Sequence, residues 1–226
     1  MLISTGPTLK VTDLFKKILL LFILILPPAA FTLAAQEDKP AESPLKPKVR
    51  MNQHSKGDQS FLISAGAVFP LFTVLLNDID SIGYSAGVHS PKLTIGGAGG
   101  LGYNFYLNGN IKLGIALNGT FEWDINRNLL YMIPVTAAFT YEFHPFSRLS
   151  VPLHIDAGIN MTSWKDEFTI DPILKAGFGV NFDWNVEWSF GIDASYWFII
   201  QTSSKDPQFD SLANFMTTQF LVEYHF

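Results

Sequence analysis

The sequence predicts an all-β chain, a transmembrane up-and-down antiparallel barrel of about eight strands. Three observations carry this. Apolar and polar residues alternate at period 2 in recurring segments from residue 60 onward, the mark of strands with one apolar face. No charged residue falls on that face in any segment. The chain is 48% hydrophobic and only 15% charged, against roughly 25% charged in soluble domains. Yet past the N-terminal region no run reaches the roughly 18 apolar residues of a spanning helix.

The N-terminal 60 residues read as export and tether. Lys10, Lys16 and Lys17 precede the apolar run Ile18 to Leu26, Pro27 and Pro28 end it, and small residues follow up to Ala34-Ala35. A basic start, a short apolar stretch and a small-residue end make a cleavable signal peptide over 1–35, cut after Ala35 or one residue earlier. Residues 36–59 are polar, with Pro40, Pro44 and Pro47 among Lys, Glu, Gln and Ser. Such a segment buries too little apolar surface to order itself, so a disordered periplasmic tail is expected there.

Residues 60–226 carry the barrel. Its segments run Phe61 to Phe69, Leu93 to Phe105, Ile111 to Trp123, Tyr131 to Phe143, Val151 to Met161, Leu174 to Trp184, Val186 to Phe198 and Met216 to Phe226. In each, every second residue is apolar or small. The opposite face holds Lys112, Glu122, Glu142, His154, Asp156, Lys175, Asp183, Glu187, Asp193, Glu223 and His225. A soluble barrel alternates too, with its apolar face inward. Aromatic residues at both ends of the segments point instead to lipid–water interfaces. Connector lengths agree: Asn108-Gly109, 144–150 and 184–186 are tight, whereas 70–91, 162–172 and 201–214 are longer; the short 124–129 link breaks the alternation. Short turns on one side and longer loops outside suit a membrane barrel with both termini in the periplasm.

A net charge of −5 argues against nucleic acid, which needs a basic stripe. The absence of Cys excludes disulfides, thiolate metal sites and a Cys nucleophile. Gly97 to Gly102 spells G-x-G-x-x-G but lies inside a strand pattern, where a dinucleotide site would need a helix to follow. No cofactor is implied.

The chain ends in Gln219-Phe-Leu-Val-Glu-Tyr-His-Phe226. This ending resembles the C-terminal signal read by the barrel-assembly machinery of bacterial outer membranes. With the signal peptide and strand pattern, residues 60–226 resemble small outer-membrane barrels of the OmpX and OmpW kind. The resemblance implies an outer-membrane location in contact with lipid.

Two sets of candidate residues follow. Lys112, Glu142, His154, Asp156, Asp183, Glu187, Asp193 and Glu223 should form a polar network, since an eight-stranded barrel is narrow enough to be filled by side chains. Lys112 is expected to pair with acids at the periplasmic mouth, while Asp156 and Asp193 lie nearer mid-barrel with few bases in view. Leu71, Phe72, Met132 and Pro134 are expected to line an apolar outer mouth. Pro134 and Pro152 fall within strands, remove ladder donors and suggest bulges or strand ends. If the OmpW likeness holds, a wall defect near Pro134 is a lateral exit for apolar molecules.

The expected function is a channel or carrier for small hydrophobic molecules, without covalent chemistry. The alternatives are an OmpX-like surface-contact protein with a closed lumen, a lipid-modifying enzyme drawing on His89-Ser90 with Asp78 and Asp80 or on His154 and Asp156, and a secreted soluble barrel.

Overall fold

The computed structural model describes residues 54–79, 83–165, 167–202 and 210–226. The expected signal peptide and most of the expected tail lie outside them. The described residues form nine strands and no helix. They are β1 (Gln59–Leu75), β2 (Gly87–His89), β3 (Gly96–Tyr106), β4 (Ile111–Trp123), β5 (Leu129–Phe146), β6 (Leu149–Trp164), β7 (Glu167–Asp183), β8 (Trp188–Gln201) and β9 (Ser211–His225). Every pairing is antiparallel, each long strand pairs with the next, and β1 pairs with β9 to close an eight-stranded barrel. The three-residue β2 extends the sheet beside the end of β1.

The register fixes how the wall closes. Partners lead from Ile111 to Tyr141, Leu153, Phe178, Ala194, Thr218, Ala67, Gly97 and back onto β4 at Phe121. The circuit returns 121 − 111 = 10 residues higher. Such a stagger requires strands tilted by roughly 35–45° and leaves an interior that side chains can fill.

The side chains settle which face meets what. Outward-facing Ile155, Phe178 and Ile192 are 64%, 57% and 58% exposed, whereas inward-facing Ser60, Glu122, Glu142, Asn160 and Glu223 are at most 2% exposed. A soluble barrel has the reverse arrangement, so the apolar face is a lipid face. Aromatic clusters mark its two borders. At the end bearing both barrel termini (the terminal end), Tyr224 packs against Trp188 and Phe226 at centroid distances of 4.9 and 6.0 Å. At the far end, Phe121 and Trp123 meet edge to face at 5.5 Å.

Polar side chains shape the turns. Asn108 Oδ1 accepts from the backbone N–H groups of Asn110 and Ile111, and Asn185 Oδ1 from those of Glu187 and Trp188. At the far end Asp124 accepts from the backbone of Asn126 and Asn128 and from the Asn128 side chain, each at 2.8 Å. These bonds, the Asn128 side chain foremost, hold its carboxyl below the usual carboxylate range.

Three expectations need correction. Segment 162–172 is no open loop: β6 runs to Trp164 and β7 starts at Glu167. Beyond the lipid both faces meet water, so period 2 fades while the ladder continues. Segments 70–91 and 201–214 shrink likewise, because β1 extends to Leu75 and β9 begins at Ser211. Finally, Pro134 and Pro152 are neither bulges nor strand ends. The β4–β5 pairs stop at Leu117↔Val135 and resume at Thr120↔Met132 in the same register, and β6–β7 does the same between Ser150↔Asn181 and Leu153↔Phe178. A proline removes its donor without shifting the strand. The register shifts lie at Pro70/Phe72 and Phe143/Phe146.

Candidate functional site

The inward face builds a filled lumen in layers. At the terminal end Lys112 Nζ lies 2.8 Å from Glu142 Oε1 and 2.9 Å from Glu223 Oε1. Ser60 Oγ (2.5 Å) and Asn104 Nδ2 (3.2 Å) also donate to Glu223 Oε1, and Tyr106 OH donates to Glu142 Oε2 at 3.4 Å. Ser189 Oγ joins Asp183 Oδ1 (2.6 Å) to His225 Nε2 (2.9 Å). His54, just before β1, stacks on the rings of both Tyr106 and His225 at 4.4 Å and covers this mouth. Burial, then the neighbouring His225, holds its pKa below the ordinary imidazole value.

A second polar set lies mid-barrel. His154 Nδ1 is 3.0 Å from Asp156 Oδ1 and its Nε2 is 3.0 Å from Asp193 Oδ2. Lys175 Nζ lies 2.8 Å from Asp156 Oδ2 and donates to Asn118 Oδ1 at 2.8 Å. Asp156 therefore has two basic partners and Asp193 one, where the sequence left both with few. Gly177, directly across the ladder from His154, makes room: a Cβ there would sit 2.4 Å from His154 Nε2. The two polar sets share a cavity of about 110 Å³, lined from Lys112 and Glu223 up to Trp197. It is large and polar enough to hold water.

Above the cavity an apolar cluster shares the lumen with buried polar side chains, Thr120, Glu122, Asn160 and Asp171 among them. Val68, Leu130, Met132, Ile173, Trp197, Ile199 and Phe215 form one buried cluster, all at most 9% exposed, with Leu93 packed against it. Lys175 Nζ lies 5.5 Å from the centroid of the Trp197 ring, where the layers meet.

Most of the expected network is thus present in two groups. Lys112, Glu142, Glu223 and Asp183 gather at the terminal end; His154, Asp156 and Asp193 gather mid-barrel. Glu187 belongs to neither. It is exposed in the turn after β7, because β7 ends at Asp183 and β8 starts only at Trp188. The expected apolar mouth also divides. Met132 and Pro134 are buried in the lumen, Leu71 is exposed on the outside and Phe72 is half-buried. The shift at Pro70/Phe72 changes the phase of β1 there. Sequence reasoning missed Trp197, Ile199 and Phe215 as lumen residues. They sit in the runs Tyr196 to Ile200 and Phe215-Met216, where both faces are apolar and parity is hidden.

Ser195 Oγ lies 3.3 Å from His154 Nε2, so Ser195, His154 and Asp156 connect in the order of a serine-hydrolase relay. Ser195 Oγ also donates to Asp193 Oδ1 at 2.5 Å, and Ser195 is paired in the ladder on both sides, to Gly177 and Thr217. Among the described residues no three His, Asp or Glu side chains are placed to hold a metal ion.

One protein-family model matches residues 36–224. The chain belongs to that family. Among curated proteins it is 24% identical over 172 residues to an uncharacterised protein of Borreliella burgdorferi, covering 67% of this chain and 76% of that one. It is 27% identical over 135 residues to an uncharacterised protein of Treponema pallidum, covering 60% and 61%. Among solved structures it is similar to Neisserial surface protein A, with a TM-score of 0.55 and 13% identity over 75% of this chain and 97% of that one. In architecture the chain is a small closed eight-stranded antiparallel barrel with its apolar face outward, the fold it shares with that surface protein.

Proposed function

We propose that this protein resides in a bacterial outer membrane with its lumen as a closed core, and acts through the surfaces it presents rather than by conducting solutes. The observation that carries this is the double closure. Ion pairs and the His54 stack fill the terminal mouth, and the apolar cluster around Trp197 fills the far half. In this reading residues 1–35 are removed on export, the polar segment up to residue 53 forms a periplasmic tail while 54–58 dock on the barrel, and Phe226 is read by the assembly machinery. Purified protein in planar bilayers should give no discrete conductance steps, and in liposomes it should admit neither a sugar nor an apolar solute faster than protein-free vesicles. Stable conductance steps by the wild type would refute the closed core.

A second reading, the carrier of small hydrophobic molecules, is favoured by one feature. β1 pairs with β3 up to Val68↔Gly96 and with β2 from Thr73↔His89, so residues 69–72 have no ladder partner on that side among the described residues. This interruption borders the apolar cluster through Val68 and Leu93; the weakened ladder near Pro134 is smaller. Faster entry of an apolar solute alone, lost on closing the interruption with a disulfide between Leu71→Cys and Thr94→Cys, would favour the carrier.

A further inference from the structure

We propose that the far end of the lumen holds a binding site for a primary alkylammonium, with Glu122 and Thr120 of β4 receiving the charged head and the apolar cluster receiving the chain. Glu122 is fully buried, and neither carboxylate oxygen has a hydrogen-bond partner. Thr120, two residues earlier on the same face, is 3% exposed and its hydroxyl is also without a partner. Residues two apart on a strand lie about 6.6 Å apart on one face, so three unsatisfied acceptors face one small region.

The surroundings supply no counter-charge. Directly across the ladder from Glu122 and Thr120 stand Leu130 and Met132, both in the apolar cluster. The lumen lysines among the described residues are engaged lower down, Lys112 by Glu142 and Glu223 and Lys175 by Asp156. On the other side the Glu122 side chain lies across Gly96, where a Cβ would be 2.6 Å from its Cγ. The bare glycine is what admits the carboxyl. An ionised carboxylate left unpaired in apolar surroundings is very costly, and ionisable groups at such places usually mark function.

The ligand class follows from the donors required. An –NH₃⁺ group carries three N–H donors, one for each orphan acceptor, on a tetrahedral head. A quaternary ammonium has none, and a guanidinium has five in a plane. The facing Leu130 and Met132 call for an unbranched apolar body. Glu122 lies one residue short of the end of β4, so the head is reached from the far mouth. Binding there needs no passage through the barrel, which sets this site apart from the closed-core reading and leaves either free to fail alone.

The test uses the full mature chain in phosphatidylcholine nanodiscs, titrated calorimetrically at neutral pH with hexylamine, hexanol and hexanoate, with empty nanodiscs subtracted. Hexylamine should bind saturably to the wild type and at least about tenfold more weakly to Glu122→Gln, as expected for charge-assisted bonds. Thr120→Val should weaken it by a smaller factor, and hexanol should not distinguish the variants. Heat-modified gel mobility confirms that each variant is folded. Should Glu122→Gln not fold, Glu122→Asp keeps the charge while shortening its reach, and should likewise bind hexylamine more weakly. Equal hexylamine affinity in wild type and a folded Glu122 variant, hexanoate binding as well as hexylamine, or no signal above empty nanodiscs would each overturn the proposal.

Discussion

Replacing Lys112 with Met tests the terminal-end core most directly. Lys112 is 4% exposed, and its ammonium lies 2.8 Å and 2.9 Å from carboxylates on β5 and β9. At those distances and an effective dielectric of about 20, each attraction is worth about 6 kcal/mol before desolvation is subtracted. Methionine fills most of the volume but strands Glu142 and Glu223, both at most 2% exposed, beside each other. Removing one partner of a buried ion pair destabilises by about 3–5 kcal/mol. Urea unfolding in lipid vesicles, followed by tryptophan fluorescence, should show a loss of that order. Adding Glu142→Gln and Glu223→Gln to Lys112→Met should recover most of it, since no charge is then left unpaired. A Lys112→Met barrel within about 1 kcal/mol of the wild type would mean that these charges are hydrated and the mouth is open, contrary to the closed core.

Other outcomes follow from the same geometry. Ile155→Arg places a charge on the lipid face and should cost about 2–4 kcal/mol near the bilayer midplane, while Asn126→Arg in the far turn should be tolerated; equal tolerance in vesicle-folding yields would reverse the face assignment. Gly177→Ala should destabilise by about 1–3 kcal/mol through overpacking, since its Cβ would meet His154 Nε2 at 2.4 Å and the Ala194 backbone oxygen at 2.8 Å; an unchanged urea midpoint would contradict this. His54 has its pKa lowered in the docked state, so the undocked segment binds protons more readily. Docking is then fully present above the imidazole's free value of about 6.5 and weakens as pH falls below it. Amide protection factors at residues 54–58, which correct for the intrinsic pH dependence of exchange, should fall between pH 7 and 5, and His54→Phe should remove that fall.

The fold was legible because a lipid face tolerates no charge, which leaves period 2 unbroken from Phe139 to Tyr141 or from Leu153 to Ile159. The polar network was legible for the complementary reason: a charge on the other face has nowhere to go but inward. What the pattern hid was the apolar half of the lumen. Trp197 points inward with the same chemistry as Tyr196 and Phe198, which face outward, and hydrophobicity alone cannot assign the faces. Pairing was equally invisible. Lys175 and Asp156 are 19 residues apart in the chain and directly opposite in the register, a relation set by the length of the hairpin between them. Glu187 was misplaced for want of a turn boundary, since one residue of strand end decides whether a carboxylate enters the barrel.

The closing strand explains why the two cores belong together. Glu223, on β9, accepts from Ser60 on β1, Asn104 on β3 and Lys112 on β4. The apolar cluster likewise joins Ala213 and Phe215 of β9 to Val68 of β1, Met132 of β5 and Ile173 of β7. Neither set can be completed in an open sheet, because Glu223 and Phe215 on β9 reach their partners on β1, β3 and β4 only once β9 has paired with β1. Before closure Glu223 would face an unfilled interior without Ser60, Asn104 and Lys112, and the cluster would lack one wall. Closure therefore satisfies the buried charges and packs the apolar layer in one step, so loss of either should weaken the β1–β9 seam as a whole. Hydrogen exchange along Ser60 to Val68 is the measure. Lys112→Met and Trp197→Ala, on different layers, should both raise exchange along the full seam. Exchange confined to the end nearest each substitution would show that the two layers hold the barrel shut independently.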